Sequence, residues 1–293
     1  MVRGLQELLD ELERDRSLNE PERLRDRIEA LDRLDSYLAE EESPNVEELS
    51  VDAGGSFRAQ NFYAHFEAAN LALYQAIRTR IQNGDGIGSL QRWLPNGAMQ
   101  STGRMKPARG LGYDYLDELI SGALQFPAPE IRSVQLEPDM VFYQPTPARH
   151  IFDLIGLTNL TKQDVLIDLG SGLGHVPLLV SICTNARCVG IEFQAGYVAC
   201  SRYAARQLNL NAKFLQQDVR AADLSGGTVF YLYTPFTGSM LRDVLGRLRL
   251  EGMRREIRIC TFGPCTATIA EEPWLRALGT SEEGRIAVFC SRD

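Results

Sequence analysis

Lysine is almost missing from this 293-residue chain: of 31 basic residues only Lys106, Lys162 and Lys213 are lysines. A basic stripe is missing too. Residues 1–50 hold 7 basic and 16 acidic side chains, residues 51–135 hold 8 and 7, and residues 136–293 hold 16 of each. The net charge of −8 therefore belongs to the amino-terminal fifth. Binding dominated by a nucleic-acid backbone is disfavoured, because it draws on clustered cations. Histidine occurs only at 65, 150 and 175, and no His/Cys grouping has metal-ligand spacing. The six cysteines include two pairs five residues apart, 183/188 and 260/265, which fit neither a zinc knuckle nor a disulfide scaffold. They read as small buried hydrophobes in a reducing compartment. No apolar run reaches membrane-spanning length, and the opening VRGLQELLDELERD is no basic-then-apolar leader. A cytoplasmic protein with no membrane partner is expected.

What is present divides in two. With 44% hydrophobic and 24% charged residues, the chain can bury one large core plus an appendage, or two cores. Leu5, Leu8, Leu9 and Leu12 recur at helical spacing, as do Leu24, Ile28, Leu31, Leu34 and Leu38. Asn19-Glu20-Pro21 between them suits a helix start, and ESPN at 42–45 ends the pair. Further helices are expected over 62–81 and 115–124, with loops at 83–89 and 95–97. The expected domains are a helical region, 1–135, and a second domain, 136–293. The first would serve as a lid, a partner-binding surface or a dimerisation element, so a homodimer is one expected assembly. Its acidic face is by default a solvated one.

Beyond about residue 140 the pattern changes. VLIDL (165–169), CVGIE (188–192), AKFLQ (212–216), TVFYLY (228–233), IRICTF (257–262) and RIAVFC (285–290) are short apolar strand candidates. Helical stretches at 174–184, 194–209 and 238–250 separate several of them. Such alternation predicts an α/β fold, a parallel sheet covered on both faces. In it, Gly170-Ser171-Gly172-Leu173-Gly174 forms the turn from a central strand into a helix. Glycines there permit positive backbone dihedrals and the close approach of a ligand. Pro177 is tolerated in the first turn of that helix. Dinucleotide folds require glycine at the sixth position of this turn, which is His175 here. Asp168 precedes the glycines, Glu192 ends the next strand and Asp218 ends the third. Glu192 can bridge two ribose hydroxyls, while Asp218 or the backbone of Val219 can meet an adenine amine.

Residues 140–293, through DLGSGLG (168–174), GIE (190–192), QQD (216–218) and YLYTPF (231–236), resemble class I S-adenosylmethionine-dependent methyltransferases. The resemblance implies a Rossmann-like, doubly wound, mostly parallel seven-strand methyltransferase sheet with S-adenosyl-L-methionine as cofactor. It further implies that Gly170, Gly172 and Gly174 approach the methionine part, with Glu192 at the ribose and Asp218 at the adenine. Asp168, Ser171, Phe193 and Val219 would line the same cleft. FYQPTPARHIFDLI (142–155) is in turn similar to the lead-in of seven-strand protein lysine methyltransferases, of the "disruptor of telomeric silencing" and ATP-synthase c-subunit types. That similarity places Tyr143, Pro145 and Thr146 over the cofactor. A plain proline-rich linker is the other reading of this stretch.

Tyr233-Thr234-Pro235-Phe236 stands where this fold presents its substrate-facing residues. With Tyr143 these are the candidate catalytic residues. The stretch lacks the leading amide or acid of the amine-methylating patterns it resembles. His175 and His150 are candidate bases or, more simply, supporting histidines; His65 reads as structural. No metal is expected. Methyl transfer to a protein lysine or another amine is the leading expectation, with a methyl-acceptor protein or small molecule as partner. Methylation of a natural product beneath a helical lid is the alternative. A non-catalytic cofactor-binding module acting through its acidic helices is the rival from another class.

Overall fold

The computed structural model describes residues 2–41, 53–93, 112–130 and 139–292. The segments 42–45 and 95–97, Lys106 and the boundary expected at 135/136 lie outside them. The chain forms two compact units, Met1–Ile77 and Arg78–Asp293.

The first unit contains α1 (Val2–Arg14), α2 (Leu24–Glu41) and most of α3 (Ala53–Gln82). Leu5, Leu8, Leu9 and Leu12 of α1 pack with Leu31 and Leu34 of α2 and with Phe66 of α3, so the leucine spacing builds a shared core. Pro21 opens a 3₁₀ turn, Pro21–Arg23, that runs into α2. Within this core Arg27 is fully buried. Its guanidinium donates to Asn70 Oδ1 (2.7 Å), the Leu18 carbonyl (2.8 Å) and the Glu20 carbonyl (2.5 Å), which satisfies groups otherwise costly to bury. His65 meets Asn19 Oδ1 at 2.5 Å, a structural contact. Helix α3 starts nine residues before the expected Phe62; Gly54-Gly55-Ser56 in its first turns is a poor helix-forming sequence, which hides that start from the sequence pattern.

The second unit opens with the end of α3 and continues with α4 (Gly86–Leu90) and α5 (Tyr115–Leu124). A loop was expected at 83–89; instead Gly86 packs so closely on Ile182 that an added Cβ would lie 2.6 Å from its carbonyl oxygen. Asp114 caps α5 in a reciprocal box with Asp117. There follow α6 (Ala148–Thr158), β1 (Val165–Leu169), α7 (His175–Cys183), β2 (Arg187–Glu192), α8 (Ala195–Gln207), β3 (Ala212–Gln216), β4 (Val229–Tyr233), α9 (Gly238–Gly252), β5 (Arg258–Phe262), α10 (Cys265–Ala270), β6 (Leu275–Ala277) and β7 (Ala287–Ser291).

The seven strands form one sheet in the order β3-β2-β1-β4-β5-β7-β6. Strands β1 to β5 run parallel, while β7 is antiparallel to β5 and to β6. The three residues of β6 escaped the sequence pattern because they are too few to show alternation. Every side chain of β1 is buried, which accounts for an apolar run that only Asp168 interrupts. A core of Ile167, Leu169, Phe230, Leu232, Val244, Leu248 and Phe289 packs one sheet face against α9. The chain moves outward from β1 to β3 and then returns to place β4 beside β1. Strand order thus reverses at β1, and a crevice opens beyond the carboxyl ends of these strands.

All six cysteines are buried and unbridged. Among the described residues no helix is long and apolar enough to cross a membrane, and no group of His, Cys, Asp or Glu could hold a metal ion.

Candidate active site

At the reversal point lies a cavity of about 340 Å³, within the roughly 300–1,000 Å³ range of small-molecule sites. Its walls come from the ends of β1, β2, β3 and β4, the start of α7 and α8, and the segment 140–146.

The β1 turn is stitched to β2 by its own amides. Gly170 and Ser171 N–H donate to the Ile191 carbonyl (2.9 and 3.0 Å), and Gly172 N–H donates to Glu192 Oε2 (2.9 Å). Gly170, Gly172 and Gly174 all have positive φ (+89°, +52° and +83°), a conformation that side chains resist. Gly170 lines the cavity, but Gly172 and Gly174 do not. A Cβ at Gly172 would run into the Tyr143 ring, and one at Gly174 would lie 2.5 Å from the Phe214 ring. Two of the three glycines therefore make room for the protein's own aromatic rings.

Glu192 accepts from the Gly172 and Gln194 amides, one at each carboxylate oxygen (2.9 and 2.8 Å). The Phe193 amide faces it as well, and a carboxylate has about four acceptor positions, so room remains for a hydroxyl. Burial raises its pKa and these backbone bonds partly oppose the rise. Asp168 is buried, and no described residue donates to its carboxylate. Burial, and then the nearby Glu192, push its pKa well above the ordinary value. Such an uncompensated buried carboxylate suits a cationic ligand group. Asp218 also lines the cavity, but Arg220 holds its carboxylate (2.6 Å) and depresses its pKa. Phe193 and Val219 complete this side, and the buried Ser171 hydroxyl has no hydrogen-bond partner among the described residues.

The segment 139–146 is no free linker. Asp139 Oδ2 accepts from the Ser239 amide (2.8 Å) and hydroxyl (2.6 Å) at the start of α9. Val141 N–H donates to the Pro235 carbonyl (3.1 Å), Thr146 shares a hydrogen bond with Tyr231 (3.0 Å), and Tyr113 donates to the Pro145 carbonyl (2.7 Å). Tyr143 packs against Tyr197 (4.9 Å between centroids), and its hydroxyl lies 3.2 Å from His175 Nδ1. Burial lowers the His175 pKa to about 4, so the ring is neutral near pH 7 and a weak base. His150 is buried against Phe262, 4.2 Å between centroids.

Tyr233, Thr234, Pro235 and Phe236 all line the cavity, as do Tyr143 and Thr146. Sequence reasoning passed over Met140, Gln194, Tyr197, Gln217, Tyr231 and Pro264, which line it too. Tyr231 was legible: it shares a strand face with Tyr233, two residues on. Tyr197 and Pro264 carry no local signal, since only the packing of α8 and α10 brings them here.

The sequence model of the family described as "Histone methylation protein DOT1" matches residues 140–220. That stretch carries the lead-in, the glycine turn, Glu192 and Asp218, and it lies on a seven-strand sheet of the order given above. The second unit contains a class I S-adenosylmethionine-dependent methyltransferase domain. Its cofactor is S-adenosylmethionine, which the buried Asp168 and the remaining acceptor capacity of Glu192 fit. Solved structures similar to the methyltransferase include an RNA methyltransferase from Salinibacter ruber in complex with S-adenosyl-L-homocysteine. It is 25% identical, with a TM-score of 0.40, over 50% of this chain and 92% of that one. The tRNA (uracil-54, C5)-methyltransferase of Pyrococcus abyssi is 14% identical, TM-score 0.40, over 50% of this chain and 39% of its own. Precorrin 8W decarboxylase of Methanobacterium thermoautotrophicum is 16% identical, TM-score 0.38, over 54% and 100%. No curated protein matches the methyltransferase.

Proposed function

We propose that this methyltransferase N-methylates a protein lysine or a comparable amine. The observation that carries the reading is the lead-in, whose Tyr143, Pro145 and Thr146 are anchored over the β1 turn and lie within the stretch similar to the histone methylation family. The lining residues all fall between 140 and 264, so within the second unit α4 and α5 contribute none of the described wall, whereas a natural-product lid would. The buried, unbridged cysteines fit a reducing, cytoplasmic setting.

In this reading Glu192 holds the sugar, Asp168 the cationic amino-acid portion, and Phe193, Asp218 and Val219 the base, the last through its backbone. When bound, S-adenosylmethionine supplies a methyl group on a sulfonium, a leaving group already activated by its charge. The residues of this chain then have to align the acceptor and exclude water. Tyr143 closes the β1 side by packing on Gly172. Tyr233, Pro235 and Phe236 wall the acceptor side. Burial pushes the Tyr233 hydroxyl up to about 12, so it stays protonated and offers a hydrogen bond rather than a base. Among the described lining residues this side has no carboxylate or imidazole, so a lysine ammonium loses its proton to water.

The test is incubation of the full chain with methyl-labelled cofactor and cell extract, followed by separation of protein, RNA and small molecules. Acid-stable label on protein, appearing as methyl-lysine after hydrolysis, is expected. Label confined to RNA or to small molecules defeats the proposal while leaving the methyltransferase assignment intact.

A further inference from the structure

Thr234, the first residue beyond β4, has φ +40° and is buried. A β-branched side chain in the left-handed region is a genuine outlier, which persists only where the surroundings over-determine it. Here they do. Thr234 Oγ1 donates to the Phe262 carbonyl at the end of β5 (3.2 Å) and accepts from the Cys265 amide at the start of α10 (3.1 Å). One hydroxyl is thus both donor and acceptor across the neighbouring strand. The groove it enters exists because Gly263, at φ +80°, has no side chain. A Cβ there would lie 2.9 Å from Thr234 Oγ1 and 3.1 Å from the Tyr233 ring.

This tether bears on the residues to either side. Before it, Tyr233 packs on Phe262 (4.8 Å between centroids), the residue whose carbonyl Thr234 grips. After it, Pro235 packs so closely on Gly170 that a Cβ on that glycine would strike its ring. The Pro235 carbonyl also takes the Val141 amide (3.1 Å) and so anchors the lead-in. The turn that walls the acceptor side is therefore pressed against the turn that walls the cofactor side, with Thr234 between the two contacts.

We infer that Thr234 is a positioning residue for methyl transfer: its hydroxyl pins a strained turn and thereby sets the spacing between acceptor and sulfonium. The inference rests on the proposed function, because it presumes an acceptor seated against Tyr233 and Pro235. A misplacement of about 1 Å can cost on the order of 10²-fold in rate. Cofactor affinity should stay, since Asp168 and Glu192 belong to other strands.

The experiment compares the full-length wild type with Thr234→Val, Thr234→Gly and Thr234→Ser. Calorimetry reads S-adenosylhomocysteine affinity, and transfer from saturating labelled cofactor to extract protein reads the reaction. Thr234→Val keeps the shape and removes the tether; it should bind the analogue within about threefold of wild type and transfer about a hundredfold more slowly. Thr234→Gly accepts the left-handed backbone without strain yet lacks the hydroxyl, so it should lose transfer as well, and it decides the matter if Thr234→Val misfolds. Thr234→Ser keeps the hydroxyl and should recover most of the rate. Wild-type transfer in the glycine variant, or a loss of analogue affinity that matches the loss of rate, overturns the inference. A wild type that binds the analogue but labels no protein overturns the proposed acceptor, and this inference with it.

Discussion

Replacing Asp168 by asparagine should make the cofactor-free protein more stable and its cofactor binding weaker. The carboxylate is buried at the end of β1, receives no donor from any described residue, and lies near the second buried carboxylate, Glu192. Burial first, and Glu192 second, raise its pKa well above that of an unfolded aspartate. A raised carboxylate pKa means that the folded state takes up a proton more readily than the unfolded chain. The destabilisation is therefore fully present above the folded pKa and fades as pH falls through it. Asparagine removes the charge at every pH. The amide that replaces it is still polar but carries no charge, so the gain is about 1 kcal/mol, the low end of the cost of an unmatched buried polar group; the apo melting temperature should rise by roughly 2–4 °C near pH 7, and the gain should shrink toward pH 4. Binding changes in the opposite sense, because a charge-assisted hydrogen bond is worth about 1.5–3 kcal/mol. The dissociation constant for S-adenosylhomocysteine, whose amino group remains cationic, should rise roughly 10- to 150-fold. Thermal melts across pH and calorimetric titration measure both. A variant that melts no higher than wild type and binds as tightly would refute the reasoning, since Asp168 would then be neither uncompensated nor ligand-facing.

Glu192→Gln should weaken S-adenosylhomocysteine binding about tenfold or more in calorimetry, because a neutral amide offers one acceptor oxygen in place of two. Gly172→Ala should lower stability by about 1–3 kcal/mol, since alanine must adopt φ +52° and meet the Tyr143 ring. Adding Tyr143→Ala should recover part of that loss, a non-additivity that urea titration of the double-mutant cycle detects. If a lysine peptide is the acceptor, kcat/KM should rise about tenfold per pH unit from 6 to 9, because the amine ionises near 10.4 and the described acceptor wall has no base. A bell-shaped profile with an ascending limb near pH 6 would instead place a protein base in the site.

Much of the second unit was legible in the chain because its signals are local. β1 and β3 fall at the expected residues, and β2, β4 and β5 begin within one residue of theirs, since short apolar runs bounded by turns leave little choice of register. The strand-end position of Asp168, Glu192 and Asp218 follows from the same alternation: each carboxylate occurs where an apolar run stops. The glycine turn likewise marked itself, because only glycine takes three positive φ angles in five residues without strain.

Other features were decided in three dimensions. Nothing near Gly172 or Gly174 in sequence says that Tyr143 and Phe214 fill the space above them, because those rings arrive from a lead-in 29 residues earlier and a strand 40 residues later. The pairing of Asp218 with Arg220 was in principle local, yet whether its carboxylate stays open to a base depends on the turn after β3. In sequence Thr234 reads as a candidate catalytic residue that stands before a proline. Its strained backbone and its grip on Phe262 and Cys265 exist only because β5 lies beside β4. The sequence by itself thus determined which residues end each strand, through hydrophobic period and backbone permissiveness. Tertiary structure decided which of those ends touch, because contact across a sheet depends on strand order, and strand order is set by how the whole apolar surface is buried at once.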